Sequence, residues 1–102
     1  MLNLTACRYF LEVVHLGSIR LAADRLHVSP SAISRQIAKL EREFGEPLLD
    51  RRANGVQLTE AGTLAAEHFS SILGQIDLIR GEMSDLRKLK SGSVSIATVD
   101  GI

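Results

Sequence analysis

Between Ser31 and Phe44 the sequence interleaves two kinds of residue at helical spacing. Ile33, Ile37, Leu40 and Phe44 recur every three or four positions. At about 100° per residue they form one apolar stripe. The opposite face carries Ser31, Arg35, Ala38, Lys39 and Arg42, with Ser34 at its edge. No acid lies on that face, because Glu41 and Glu43 flank the apolar stripe instead. Cationic and hydroxyl groups in one column, with no carboxylate to repel an anion, make a surface suited to phosphate. The same groups can read base edges. Arg35 fits bidentate contact with guanine O6 and N7, and Ala38 leaves room for a thymine methyl. Ser31 and Ser34 reach bases or phosphate, whereas Lys39 and Arg42, toward the C-terminal end, suit phosphate. The plain alternative is a solvated helix face.

A second basic cluster follows. Arg51-Arg52-Ala53-Asn54-Gly55 puts two guanidinium groups beside an Asn-Gly turn signal. Leu49 flanks it on one side and Val56 and Leu58 on the other, the pattern of a β-hairpin between Leu48 and Thr59. Arg51, Arg52 and Asn54 at its tip are placed to touch a nucleic-acid backbone or a narrow minor groove. The alternative pairs Arg51 with Asp50 or Glu46 and leaves it a structural role.

These groups need elements to hold them. A first helix is expected from about Leu4 to His15, with Gly17 as its stop. Ser18 caps a second helix that ends at His27-Val28. Ser29, with Pro30 at the first helical position, starts the third, and Gly45 ends it. Residues 18–37 therefore have the anatomy of a helix-turn-helix. Ala23 allows a close helix crossing, Val28 plugs the gap, and Ile33 and Ile37 hold the second helix on the first. His27 occupies a turn position that suits a left-handed backbone.

Thr59 caps a last helix reaching about Lys90. Some 30 residues span roughly 45 Å. Ala65, Phe69, Ile72, Ile76, Ile79, Met83 and Leu86 follow a 4-3-4-3-4-3 spacing, an apolar heptad seam, with Gly74 and Gly81 on the outer face. The alternative is burial against its own head, which about three turns could achieve; about eight turns overshoot the head before them, so the seam is expected to bury against a second copy. Ser91-Gly92-Ser93 reads as a hinge. Val94 to Val99 alternates as a strand with nothing left in the chain to pair with, the first element of a further domain. The expected division is 1–58 for the head, 59–90 for the linker helix and 91–102 for the hinge and first strand.

Composition narrows the function. The chain has 102 residues and no net charge, but its halves differ. Through Leu58 there are eight Lys/Arg against six acids; from Thr59 there are four against six. Cys7 is the single cysteine, so a structural disulfide within the chain is excluded and a reducing, cytoplasmic setting is the default. It reads as a small core residue. No apolar run is long enough for a membrane span. His15, His27 and His68 lack metal-ligand spacing, no phosphate-cradling glycine loop appears, and no nucleophile has a base nearby. Neither an enzyme nor a cofactor is expected.

The order of Ala22-Ala23-Asp24-Arg25-Leu26-His27-Val28-Ser29, Ser31-Ala32-Ile33-Ser34-Arg35-Gln36-Ile37, Leu40-Glu41, Phe44-Gly45, Leu48-Leu49-Asp50-Arg51 and Leu58-Thr59-Glu60-Ala61-Gly62 resembles the N-terminal part of LysR-type transcriptional regulators. The resemblance covers about residues 2–97. It implies a mainly α fold: a winged helix-turn-helix of three helices and a two-stranded β wing, followed by a long dimerising linker helix. It also implies an antiparallel helix pair, an effector domain beyond this segment, and DNA contact at Ser34 and Arg35. Many members carry Gln-Pro where this sequence has Pro30-Ser31, so that glutamine contact is absent here. The expected function is sequence-specific double-stranded DNA binding at a partly palindromic operator in bacterial transcription regulation. The chain would act as a homodimer, or a tetramer at full length, with a small-molecule effector acting through the further domain. A winged-helix protein-interaction module is the other candidate.

Overall fold

The computed structural model describes residues 2–52 and 55–91. Its elements run α1 (Leu4–Leu16), α2 (Ile19–Leu26), α3 (Pro30–Phe44), β1 (Leu49–Arg52), β2 (Gly55–Leu58) and α4 (Glu60–Ser91). Local chemistry sets most boundaries. Asn3 Oδ1 accepts the amides of Thr5 and Ala6 at 2.8 and 3.3 Å, giving α1 its N-cap. Ser18 and Ser29 do the same for α2 and α3, each accepting the third amide along at 3.1 Å. Gly17 and Gly45 close α1 and α3 in the left-handed region. His27 ends α2 in that region too, at φ 59°. The expected hinge at 91–93 and the strand at 94–99 lie outside the described residues, apart from Ser91 at the end of α4.

One core organises the head. Ala6, Cys7, Phe10 and Val13 of α1 meet Ala22 and Ala23 of α2 and Ile33, Ile37 and Leu40 of α3. Leu48 and Leu49 close it from the wing side. Cys7 is a core residue, 1% exposed, and burial pushes its thiol pKa up, helped by the negative charge of Glu43. Arg25 Nε meets Glu12 at 3.1 Å and ties α2 to α1. Phe44 departs from expectation. It sits at the end of α3, where the stripe runs past the core, and is 49% exposed, with its ring tilted against Phe69 at 6.0 Å.

The strands pair antiparallel, with Leu49 opposite Leu58 and Arg52 opposite Gly55. A two-stranded sheet is marginal alone, and this one is tied to α1 and closed at its base. Val56 donates its amide to the Gly17 carbonyl at 3.3 Å, and Thr59 donates its own to Leu48 at 3.1 Å. Thr59 also caps α4, accepting from Gly62 N at 2.9 Å while its hydroxyl donates to Pro47 O at 2.6 Å.

The linker helix revises the seam. Phe69 is 4% exposed and inserts edge-on against Phe10, ring centroids 5.8 Å apart at 83°. Burying such a ring stabilises the head by about 1.5–3 kcal/mol. Leu73, outside the expected seam, is 6% exposed beside it. Ala65 and Ile76 are half-buried against the same core. Thus Phe69, assigned to a partner from its spacing, is covered by its own head. The reason is geometric: α4 starts at the wing and crosses α1, so its first turns complete the core before the helix leaves it. Ile72, Ile79, Met83 and Leu86 stay exposed.

Candidate nucleic-acid interface

The helix-turn-helix presents α3 with its apolar side inward. Ile33, Ile37 and Leu40 are buried, which fixes the rotation of the helix and turns Ser31, Arg35, Lys39 and Arg42 to solvent. Ser34 and Ala38 lie at the border, partly exposed. The turn that sets α3 against α2 is tight, with the Val28 amide bonding Ala23 O at 3.1 Å. Ser31 Oγ lies 3.2 Å from Ser29 Oγ, so the cap and the first residue of the exposed column support each other.

Charge on this face, and on Arg51 of the wing, is unspent. Among the described residues, Arg35, Lys39, Arg42 and Arg51 make no ion pair. Four cations left for solvent would repel one another mildly. An anion brought to them gains contacts without first breaking any. The wing adds Arg51 and Arg52 on alternate sides of β1. Here the pairing differs from the sequence alternative: Arg52, not Arg51, holds Asp50, at 3.0 Å. Residues two apart share a strand face, so Asp50 and Arg52 meet while Arg51 points the other way. Asn54 lies outside the described residues.

Two positions escaped the sequence reading. Glu41 Oε2 accepts the amides of Leu48 at 2.8 Å and Leu49 at 3.3 Å, joining α3 to the start of β1. Its flanking position beside the apolar stripe was legible; its partners were not. Gly62 passes so close to the wing that an added Cβ would overlap the Leu48 carbonyl oxygen. Among the described residues, no three His, Cys, Asp or Glu could hold a metal ion, and no helix is long and apolar enough to cross a membrane.

Residues 4–63, comprising α1 to α3, the wing and the start of α4, match the family described as bacterial regulatory helix-turn-helix protein, lysR family. The chain belongs to the LysR family. Among its relatives is the nitrogen assimilation regulatory protein nac of Klebsiella aerogenes, 36% identical over 100 residues, which cover 98% of this chain and 33% of that protein. This LysR-family chain thus spans about a third of the length of that curated relative. Among the solved structures that share its fold are two DNA complexes. The BenM DNA-binding domain in complex with catB site 1 DNA has a TM-score of 0.80 and 32% identity, covering 83% of this chain and 96% of that one. The CbnR DNA-binding domain–DNA complex gives 0.75 and 35%, covering 83% and 97%.

Proposed function

We propose that this chain binds double-stranded DNA sequence-specifically, as a dimer, and serves transcriptional control. One observation carries the reading: a basic, hydroxyl-bearing and acid-free face on the second helix of a helix-turn-helix, its cations in no ion pair among the described residues. The two DNA-bound relatives with this fold support it. In the proposed complex α3 enters the major groove, which admits an α-helix. Arg35 reads a base, with Ser31 and Ser34 at neighbouring base edges or phosphates and Ala38 beside a thymine methyl. Lys39, Arg42, Arg51 and Arg52 hold phosphates, and Asn54 is a further proposed DNA contact. No catalytic step and no cofactor enters this function.

The dimer reading rests on α4. Ile72, Ile79, Met83 and Leu86 keep one apolar line open along it. An apolar groove of about 500 Å³ continues that line onto the head, walled by Leu2, Phe44, Leu48, Leu64, Phe69 and Ile72. A second copy's helix, bearing the same exposed line, is the occupant we propose, and a two-fold pair then meets a partly palindromic operator. Further assembly to a tetramer, a small-molecule effector acting through an additional domain, and a cytoplasmic location complete the proposal.

Selection of operators from random duplexes, followed by anisotropy titration at several salt concentrations, tests it. A selected motif bound far better than random DNA is expected. Absence of DNA binding would leave a protein-interaction module as the better reading, and binding with no sequence preference would overturn the sequence-specific part of the proposal. Within that assay, Arg35→Ala is expected to lose about 1–3 kcal/mol on the selected site and to relax preference at one base pair. Equal loss on random DNA would reassign Arg35 to phosphate. Arg51→Ala is expected to weaken binding to every sequence and to lower the salt slope by about one per half-site. Arg52→Ala should change the slope less, because Arg52 must leave Asp50 to reach phosphate. The reverse order of the two slopes would mean that the Asp50 pair does not persist on DNA.

A further inference from the structure

Among the described residues, two hydrogen bonds from one side chain of α3 reach the strand that carries the wing's arginines. The main-chain carbonyl of Glu41 accepts the amides of Gly45 at 2.8 Å and Glu46 at 3.2 Å, which ends α3. Its side chain then reaches past that turn to take the amides of Leu48 and Leu49. One residue therefore both terminates the helix and starts the strand. The next residues of that strand are Asp50, Arg51 and Arg52, so the guanidinium groups stand two and three positions from the anchored amide, about 7–10 Å along β1. On the helix, Arg42 is the next residue and Arg35 lies under two turns away. The carboxylate sits at the pivot between the two basic elements.

We propose that Glu41 is a positioning residue for DNA binding: its carboxylate sets the angle of the wing relative to α3, and so where Arg51 and Arg52 fall when Arg35 is seated. The role rests on the reading of α3 and the wing as one DNA interface. A carboxylate suits the task because one oxygen accepts both amides, and hydrogen bonds to an ionised acceptor are stronger than neutral ones. Burial of Leu48 and Leu49 holds the strand down but is non-directional. The paired hydrogen bonds add the direction. Thr59 Oγ1 donates to Pro47 O and accepts from Gly62 N, which closes the base of the hairpin at the start of α4. The Val56 amide bonds Gly17 O and fixes the wing on the α1 side, and Glu41 fixes it on the α3 side.

The test uses the whole chain with Glu41→Gln, which keeps shape and one acceptor oxygen but removes the charge. Amide exchange in the free protein is read first. The Leu48 and Leu49 amides are expected to exchange about tenfold faster, as for loss of one charge-assisted bond, with α1 and α3 unchanged. Unchanged exchange at these two amides, or a uniform rise across α1 and α3, overturns the role. Binding to the selected operator is read second, in a cycle with R51A/R52A. E41Q is expected to weaken binding about five- to tenfold in the unmodified chain and less than twofold in R51A/R52A, with base preference at the Arg35 site intact. If R51A/R52A weakens binding and E41Q still shows its full loss in that background, the Glu41 role fails while the interface stands. If R51A/R52A binds as well as the unmodified chain, the wing is outside the interface, and the Glu41 role fails with it.

Discussion

Gly62→Ala is expected to lower the melting temperature by roughly 10 °C or more, while Gly74→Ala, twelve residues along the same helix, raises it. An alanine Cβ at position 62 would overlap the Leu48 carbonyl oxygen and stand 2.9 Å from Leu58 Cδ2. The leucine tip can swing aside. The carbonyl cannot, because Leu48 is buried and its oxygen receives the Thr59 amide. The helix and the wing must separate, which loosens Phe69 and Leu73 behind them. Overpacking of this kind costs about 1–3 kcal/mol and occasionally more. The gain in helix propensity, about 1 kcal/mol, offsets only part of it. A main-chain clash belongs at or above the top of that range. Each 1 kcal/mol is worth about 4–8 °C in a domain of this size. At Gly74 an added Cβ meets nothing within 4 Å, so the propensity gain stands alone. Calorimetry of the two variants decides. Equal small changes in both would mean that the wing and α4 are not in contact at this point in solution.

The pair also marks what a sequence can and cannot disclose. Gly62, Gly74 and Gly81 look alike as letters within one helix, and propensity treats them alike. What separates Gly62 is a carbonyl fourteen residues away. The legible features were those whose causes are local. Ser18 and Ser29 cap helices because a hydroxyl accepts a nearby amide, and the left-handed turn at His27 was foreseeable from position alone. The exposed column from Ser31 to Arg42 followed from periodicity, because burial of Ile33 and Ile37 fixes which side faces out. Phe69 shows the limit. Its spacing placed it on a seam, but spacing gives only the face of a helix, not what covers that face. Only the path of α4 across α1 shows that Phe10 and the rest of the head cover it first. Leu73, off the heptad register, is buried for the same reason. The wing pairing behaves likewise: alternation along β1 puts Asp50 with Arg52, a relation visible in the sequence once the strand is fixed.

Ile79→Asp is expected to convert the chain to a folded monomer and to lower operator affinity by about a hundredfold or more. The position is chosen for what does not touch it. Ile76, at the centre of the heptad seam, is half-buried against its own head, so a charge there would damage core and interface together. Ile79 is 50% exposed and lies nearly two turns beyond Leu73, where the deeply buried part of α4 ends. In a free monomer its carboxylate would face water at little cost. In a dimer whose helices bury Ile72, Ile79, Met83 and Leu86 against each other, it would be an unpaired charge in an apolar seam, costing several kcal/mol. The symmetric partner would bring a second charge into the same interface. DNA binding should fall with the dimer, since one head alone loses the second half-site and the effective concentration a linked head provides, commonly a factor of about 10²–10⁴. The residual binding should keep the base preference of the unmodified head, because Arg35 lies on α3, remote from the change. Circular dichroism checks that the head is folded, sedimentation at micromolar concentration reads the association state, and anisotropy on whole and half operators reads the affinity. A variant that sediments as a dimer and binds the whole operator undiminished would show that the open line on α4 is not the dimer interface.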